Sequence, residues 1–206
     1  MCDTCSWSEK EPFIDGKNLT TQRPKILVHS CCGPCSTAVV ERLSQRYAVT
    51  LFFFNPNVTD EDEYRKRLEA QRSFVKRYNA SSVSPDNIHL VVGSYEPMQF
   101  LDRVRGYEDD AEGGMRCCLC FRMRLERTAE YAALHGYPVF TTTLSVSPHK
   151  DYDAITKIGT ELALRYGVSY LSENFKKQNG FLRSTELAQA YELYRQNYCG
   201  CSFSKR

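Results

Sequence analysis

Residues 25–54 read KILVHSCCGPCSTAVVERLSQRYAVTLFFF, and this stretch decides the fold. Lys25–His29 is a short apolar run of the kind that forms a buried strand. It opens directly into Cys31-Cys32-Gly33-Pro34-Cys35, where Gly33-Pro34 predicts a turn before a helix from about Ser36 to Tyr47. A second apolar run, Val49–Phe54, completes a strand–helix–strand unit.

Working outward, the same alternation continues. A helix is predicted over Asp60–Tyr78, with acids in its first turn and Arg65, Lys66, Arg67, Arg72, Lys76 and Arg77 later, the distribution that complements a helix dipole. Then come a strand at Ile88–Val92, a helix at about Pro97–Arg105, a Gly113-Gly114 loop and a helix at about Leu119–His135 capped by Gly136. Strand Val139–Thr143 follows, and after Ser147-Pro148 a helix spans Tyr152–Tyr166 and stops at Gly167. Strand Ser169–Leu171 and a helix at about Ser184–Gln196 end the series. Strands alternating with helices imply an α/β fold with a parallel sheet covered on both faces. Ligands of such sheets sit outside the carboxyl ends of the strands, where the first cysteine cluster, the Thr142–Lys150 loop and the Asn174–Phe181 loop are expected to gather. The length of 206 residues suits one domain, residues 25–206, preceded by a flexible polar extension over residues 1–24.

Composition is that of a globular protein, 42% hydrophobic and 25% charged with a formal net charge of +2. No apolar run is long enough to span a membrane, and the N-terminus reads as polar rather than as a secretion signal. The near-neutral total hides an asymmetry. Residues 1–115 carry 14 Lys and Arg against 17 Asp and Glu, whereas residues 116–206 carry 13 against 8. The C-terminal half is therefore the expected polyanion-facing side, and a plainly solvated surface is the competing reading.

The chain has ten cysteines, eight of them in Cys31-Cys32-Gly-Pro-Cys35, Cys117-Cys118-Leu-Cys120 and Cys199-Gly-Cys201. Thiols this closely spaced on distant segments suit a soft metal or an iron–sulfur cluster better than structural disulfides. Neighbours such as Cys31 and Cys32 do not readily bridge, and a chain of this length needs no disulfide framework. The reduced cytoplasm that keeps such thiols free is the expected location. The spacing of Cys117 and Cys120 is shared by zinc ribbons, redox pairs and iron–sulfur sites, and Cys118 reads as a bystander. Cys199 and Cys201 suit either a strained, easily reduced disulfide or two metal thiolates. Cys2-x-x-Cys5 lies in the extension and reads as incidental. Among the histidines, His149 sits on a strand-following loop and is the site candidate, while His89 and His135 read as ordinary strand and helix-end residues.

The stretches LVHSCCGPCS (27–36), FFFNPN (52–57), EGGMRCCLCFRMRLERTA (112–129), FTTTLSVSPHKD (140–151), NFKKQNGFLRS (174–184) and ELYRQNYCGCSFS (192–204) together resemble the cobalamin-independent epoxyqueuosine reductase family, QueH. The resemblance spans residues 25–204 and implies a Rossmann-like, HUP-type domain. It implies the last step of queuosine formation, the two-electron removal of the epoxide oxygen of epoxyqueuosine at the tRNA wobble position, with electrons from an external donor. It further implies a [4Fe-4S] cluster on Cys31, Cys32, Cys117 and Cys120. Cys199 and Cys201 match a terminal pair proposed to be redox-active or to hold a neighbouring second metal, an iron ion. Members of the family can have Asp where this chain has Cys35, and either side chain ligates a metal as an anion, so Cys35 joins the second site as a candidate.

For tRNA, the expected contacts are cations on the backbone and aromatic rings against bases. His149, Lys150, Lys176, Lys177, Arg183 and Arg195 lie in or beside the motifs, as do Phe175, Phe181 and Tyr198. His149, Tyr152 or water would donate a proton. Two rivals come from other classes: a zinc-stabilised RNA-binding module, and a tRNA sulfur-transfer enzyme on a nucleotide-binding fold. The second expects a phosphate loop after the first strand, where this chain has Cys-Cys-Gly-Pro-Cys and no G-x-x-x-x-G-K-[ST] occurs anywhere.

Overall fold

In the computed structural model, which describes residues 23–81 and 86–205, the apolar run after Pro24 forms strand β1 (Lys25–Ser30) at the centre of a five-stranded parallel sheet. All but its first residue are buried, because both faces of the strand are covered. Ile26 and Val28 pack with Val39, Val40 and Leu43 of helix α1 (Gly33–Leu43) and with Phe74 and Tyr78 of α2 (Glu61–Ala80). Leu27 faces the other way, into a core with Phe121 and Leu125 of α4 (Met115–Leu134) and Ile155 and Leu162 of α5 (Tyr152–Tyr166). The period of two along one strand thus builds two apolar layers.

Strands β2 (Ala48–Phe53) and β3 (His89–Val92) extend the sheet on one side of β1, and β4 (Val139–Thr142) and β5 (Ser169–Tyr170) on the other, in the order β3-β2-β1-β4-β5. Val28 lies opposite Leu51 of β2 and Thr141 of β4. Strand order reverses between β1 and β4, so the chain leaves these neighbours in opposite directions and opens a crevice between their carboxyl ends. Residues 31–35 follow β1, and the 3₁₀ turn Thr143–Val146 follows β4. The crevice is therefore flanked by the cysteine turn and by the loop carrying His149 and Lys150.

The single-domain α/β architecture expected from the sequence is the one observed. The helix over Tyr152–Tyr166 has the expected ends, because Asp151 accepts the backbone N–H groups of Asp153 and Ala154 (2.8 and 3.0 Å) and Gly167 turns at φ +67°. Two helices differ. Helix α4 begins at Met115 rather than Leu119, with the Asp110 carboxylate accepting the Arg116 N–H at 2.9 Å, so Cys117, Cys118 and Cys120 are helical. Helix α6 spans Gly180–Ala190 rather than Ser184–Gln196. Glu192, at φ +47°, follows its end, Leu193 packs back on the core, and Arg195 and Gln196 reach the cleft wall. The expected N-terminal extension, with Cys2 and Cys5, lies outside the described residues up to residue 22.

Gly33 shows how tightly the cysteine turn is set. A Cβ there would stand 2.8 Å from the carbonyl oxygen of Ala70, so the first turn of α1 lies directly on the backbone of α2. Replacing Gly33 by Ala should cost about 1–3 kcal/mol of unfolding free energy, measurable by chemical denaturation.

Candidate metal and redox centre

Each cysteine cluster reaches the crevice on a different element. Cys31 and Cys32 leave the buried end of β1, and Cys35 is on the first turn of α1. The thiol sulfurs of these three lie within 4.8 Å of one another, with Cys31 and Cys32 Sγ 3.7 Å apart. Cys117 and Cys120, on the first turns of α4, line a small second cavity together with Cys199, Cys201, His149 and Lys150. Cys35 and Cys199 also line a larger open cleft of about 640 Å³, with His149 and Lys150 again in the wall. The tightest group of sulfurs is thus Cys31, Cys32 and Cys35, while Cys117 and Cys120 sit nearer the C-terminal pair.

The sulfurs are held by polar neighbours. Thr143 accepts the backbone N–H of Cys31 at 3.1 Å and directs its hydroxyl at Cys31 Sγ, 3.3 Å away. The Gln196 amide donates to Cys32 Sγ at 2.8 Å, and the Gly113 N–H to Cys117 Sγ at 3.3 Å. Arg124 approaches Cys120 Sγ at 3.9 Å. These donors stand where a centre of bound thiolates needs orientation.

The electrostatics divide the thiols. Hydrogen bonds from Cys32 and Cys35 hold Cys31 well below the ordinary thiol range, against burial and with help from Lys150 and Arg124. The same interactions act in reverse on their partners, pushing Cys32 up to about 12 and raising Cys35. Burial raises Cys117 and lifts Cys120 to about 11. Cys199 is lowered to about 5, chiefly by a hydrogen bond from Cys201, then by Lys150 and Arg124 against burial; Cys201 is raised in turn. Burial works to discharge Lys150, but the Cys199, Cys31 and Cys35 sulfurs outweigh it and keep it an ammonium.

The Cys199-Gly-Cys201 loop is clamped to α2. Arg67 and Glu63 form a buried ion pair at 2.7 Å, their side chains 3% and 8% exposed. The Arg67 guanidinium donates to the carbonyls of Cys199 (2.9 Å) and Tyr198 (3.0 Å), and the Tyr194 hydroxyl donates to Glu63 at 2.7 Å. Gly200 turns at φ +106°, and a Cβ there would meet Arg67 at 2.8 Å.

The residues expected at a substrate contact separate. His149 and Lys150 line the cleft, as do Phe181, Arg195 and Tyr198. Arg183 is instead engaged by Glu41 (3.0 and 2.7 Å) and Glu186 (3.1 Å). Lys176 donates to the Lys150 carbonyl at 2.8 Å, and Lys177 is exposed outside the cleft wall with its carbonyl held by Arg42. Phe175 is in the core, and the Tyr152 hydroxyl donates to the Ser172 carbonyl. Five participants were not singled out from the sequence: His29, Asn55, Arg124, Thr143 and Gln196. All five lie inside the quoted motifs, which was the available signal.

The family model described as epoxyqueuosine reductase QueH matches residues 26–206. A curated protein named epoxyqueuosine reductase QueH from Streptococcus pyogenes is 39% identical over 184 residues, which is 89% of this chain and 71% of the relative. Proteins of the same name from Staphylococcus aureus and Haemophilus influenzae are 40% and 38% identical, covering 88% and 95% of this chain and 76% and 78% of theirs. The chain belongs to the epoxyqueuosine reductase QueH family. Its QueH membership makes it an oxidoreductase by family, and the Cys31, Cys32 and Cys35 thiols form a group able to bind a metal. No helix among the described residues is long and apolar enough to cross a membrane.

The divided thiols give a direct check on the C-terminal pair. The thiolate is the nucleophile, so in reduced, metal-free protein near pH 6.5 iodoacetamide should label Cys199 well before Cys201, as read by peptide mass spectrometry. Equal labelling of the two would contradict the assigned charge.

Proposed function

We propose that this protein is a cytoplasmic epoxyqueuosine reductase that converts epoxyqueuosine to queuosine at the wobble position of tRNA. Both carbon–oxygen bonds of the epoxide break and the carbon–carbon double bond forms. Two electrons and two protons are consumed, and the oxygen leaves as water. One observation carries this reading beyond family membership: three separate thiol-bearing segments meet cationic Lys150 at a cleft open to a ligand.

In this reading Cys31, Cys32, Cys117 and Cys120 hold a [4Fe-4S] cluster, and Cys35, Cys199 and Cys201 are the candidates for a second metal, an iron ion. All are soft thiolate donors, and the cations and N–H groups beside them suit an anionic centre. When bound, such a group supplies one-electron chemistry that acid–base side chains lack. The Cys199–Cys201 dithiol is the chain's own two-electron reservoir. Closing it to a disulfide yields two electrons and, because Cys199 is already a thiolate, one proton from Cys201; the second proton comes from water in the cleft, and an external donor then reopens the disulfide. Its poise is set by Arg67, which fixes the loop, and by Lys150, whose charge favours the Cys199 thiolate.

Lys150 and His149 are in reach of a ligand in the cleft, and Lys150 is the group able to hold negative charge developing on the epoxide oxygen. Phe181, with Arg195 over its ring at 5.4 Å, and Tyr198 offer faces for a base. Lys205 and Arg195 stand at the wall for phosphate.

The test is anaerobic purification followed by assay on tRNA bearing epoxyqueuosine. A brown protein with about four irons and four sulfides per chain that bleaches with dithionite is expected. Replacing both Cys199 and Cys201 by Ser should lower multiple-turnover formation of queuosine by at least about 100-fold. A colourless protein with stoichiometric zinc, unable to accept a cluster, would instead favour the zinc-stabilised RNA-binding module. Affinity for tRNA should fall steeply with added salt, and a flat response would remove the charged wall from the reading.

A further inference from the structure

We infer that Arg124 is the counter-cation of the thiolate centre and sets its reduction potential. The inference rests on the reading above, that the cysteines hold a redox-active metal centre. Arg124 lies on the inward face of α4, 2% exposed. Burying a guanidinium is costly unless an anion accompanies it. The buried Arg67 meets that demand with Glu63 at 2.7 Å, but among the described residues no carboxylate pairs with Arg124.

The partners Arg124 does have fix its direction without cancelling its charge. Nη2 donates to Asn55 Oδ1 at 2.6 Å, and the Asn55 amide donates in turn to the Ser30 carbonyl at 2.9 Å, which fixes the oxygen towards Arg124. Nε points at His29 Nε2, 3.3 Å away. His29 Nδ1 lies 2.9 Å from the Thr142 hydroxyl, and its Nε2 also lies 3.2 Å from the Phe54 carbonyl. The remaining nitrogen, Nη1, is directed at Cys120 Sγ. Neither of these partners is a carboxylate, so the guanidinium is aimed at the cysteine sulfurs with no acid paired to it.

Every electron added to such a centre increases its negative charge. A fixed cation a few ångströms away, out of water, therefore favours the reduced form. Arg124 acts through the cysteines and touches no substrate, which makes it a positioning residue for charge. Lys150 stands on the open side of the same thiols, half-buried and facing the cleft. The division is that Arg124 poises the centre permanently, whereas Lys150 is free to answer the ligand.

The experiment compares wild type, Arg124→Lys, Arg124→Met and Asn55→Asp after anaerobic reconstitution, scoring iron and sulfide content and then the midpoint of an optical redox titration. Asn55→Asp keeps the arginine but sets a carboxylate against it, so it tests the charge even if Arg124→Met fails to fold. The expected result is a potential near wild type for Arg124→Lys. For the other two, the reduced-to-oxidised ratio at the wild-type midpoint should fall at least tenfold, about 59 mV for one electron. Loaded Arg124→Met or Asn55→Asp with the wild-type potential would overturn the inference and leave the reductase reading standing. A wild type that takes up no iron and sulfide would overturn both.

Discussion

The site depends on compensating charge where thiols are crowded together out of water. Sulfurs within 4.8 Å of one another cannot all ionise unless cations stand beside them. The chain supplies these from opposite sides of the crevice, Arg124 from α4 and Lys150 from the loop after β4. Carboxylates are kept off the buried one. The buried Arg67, paired with Glu63, has the opposite design, because its work is to hold backbone carbonyls rather than to charge a site. A buried cation without its acid is tolerable only if something else nearby becomes anionic, and the thiols are the groups in place to do so.

Topology explains why three distant segments are able to meet there. The reversal of strand order between β1 and β4 opens one crevice, and the residues just past both strands fall into it without long loops. Helix α4 then brings Cys117 and Cys120 in on its first turns. The C-terminal pair has no strand to deliver it. It is tied down instead by side chains of α2 and by the left-handed turn at Gly200, with the Thr59 N–H donating to the Gly200 carbonyl at 3.3 Å. That dependence on one buried ion pair distinguishes the Cys199-Gly-Cys201 loop from the strand-borne cysteines, which are held by the core itself.

The sheet was legible because its strands are buried on both sides and read as continuous apolar runs, and α5 was legible to the residue because both ends carry strong caps. Helix α4 was read short because the cysteine-rich turn at its start lacks apolar periodicity. Helix α6 was displaced because apolar spacing continues through Leu193 while the backbone breaks at Glu192. The site was legible in part for a related reason. Cysteine clusters announce their chemistry by composition, whereas Arg124, Asn55 and His29 are ordinary polar residues whose importance appears only when tertiary structure buries them together. Charge read along the chain misleads in the opposite direction. Arg183 and Lys176 look like free cations in a basic segment, yet one is engaged by two glutamates and the other by a backbone carbonyl.

The size of the cleft constrains how the proposed substrate reaches the thiols. About 640 Å³ is the scale of a small-molecule pocket, enough for a modified nucleoside and far too small for a folded anticodon arm. The wobble nucleotide would then have to be splayed out of the loop while the rest of the tRNA stays on the rim, the usual way proteins read single-stranded RNA. The rings at the wall fit that demand. Phe181 is 41% exposed with Arg195 over its ring, and the Tyr198 ring has both Arg67 and Lys205 near it. Of these cations, Arg195 and Lys205 line the cleft and would offset the negative charge of an incoming backbone. An entrance that binds by stacking and charge, leading to sulfurs whose own charge is balanced from behind, would separate recognition of the proposed tRNA substrate from the poise of the proposed redox centre.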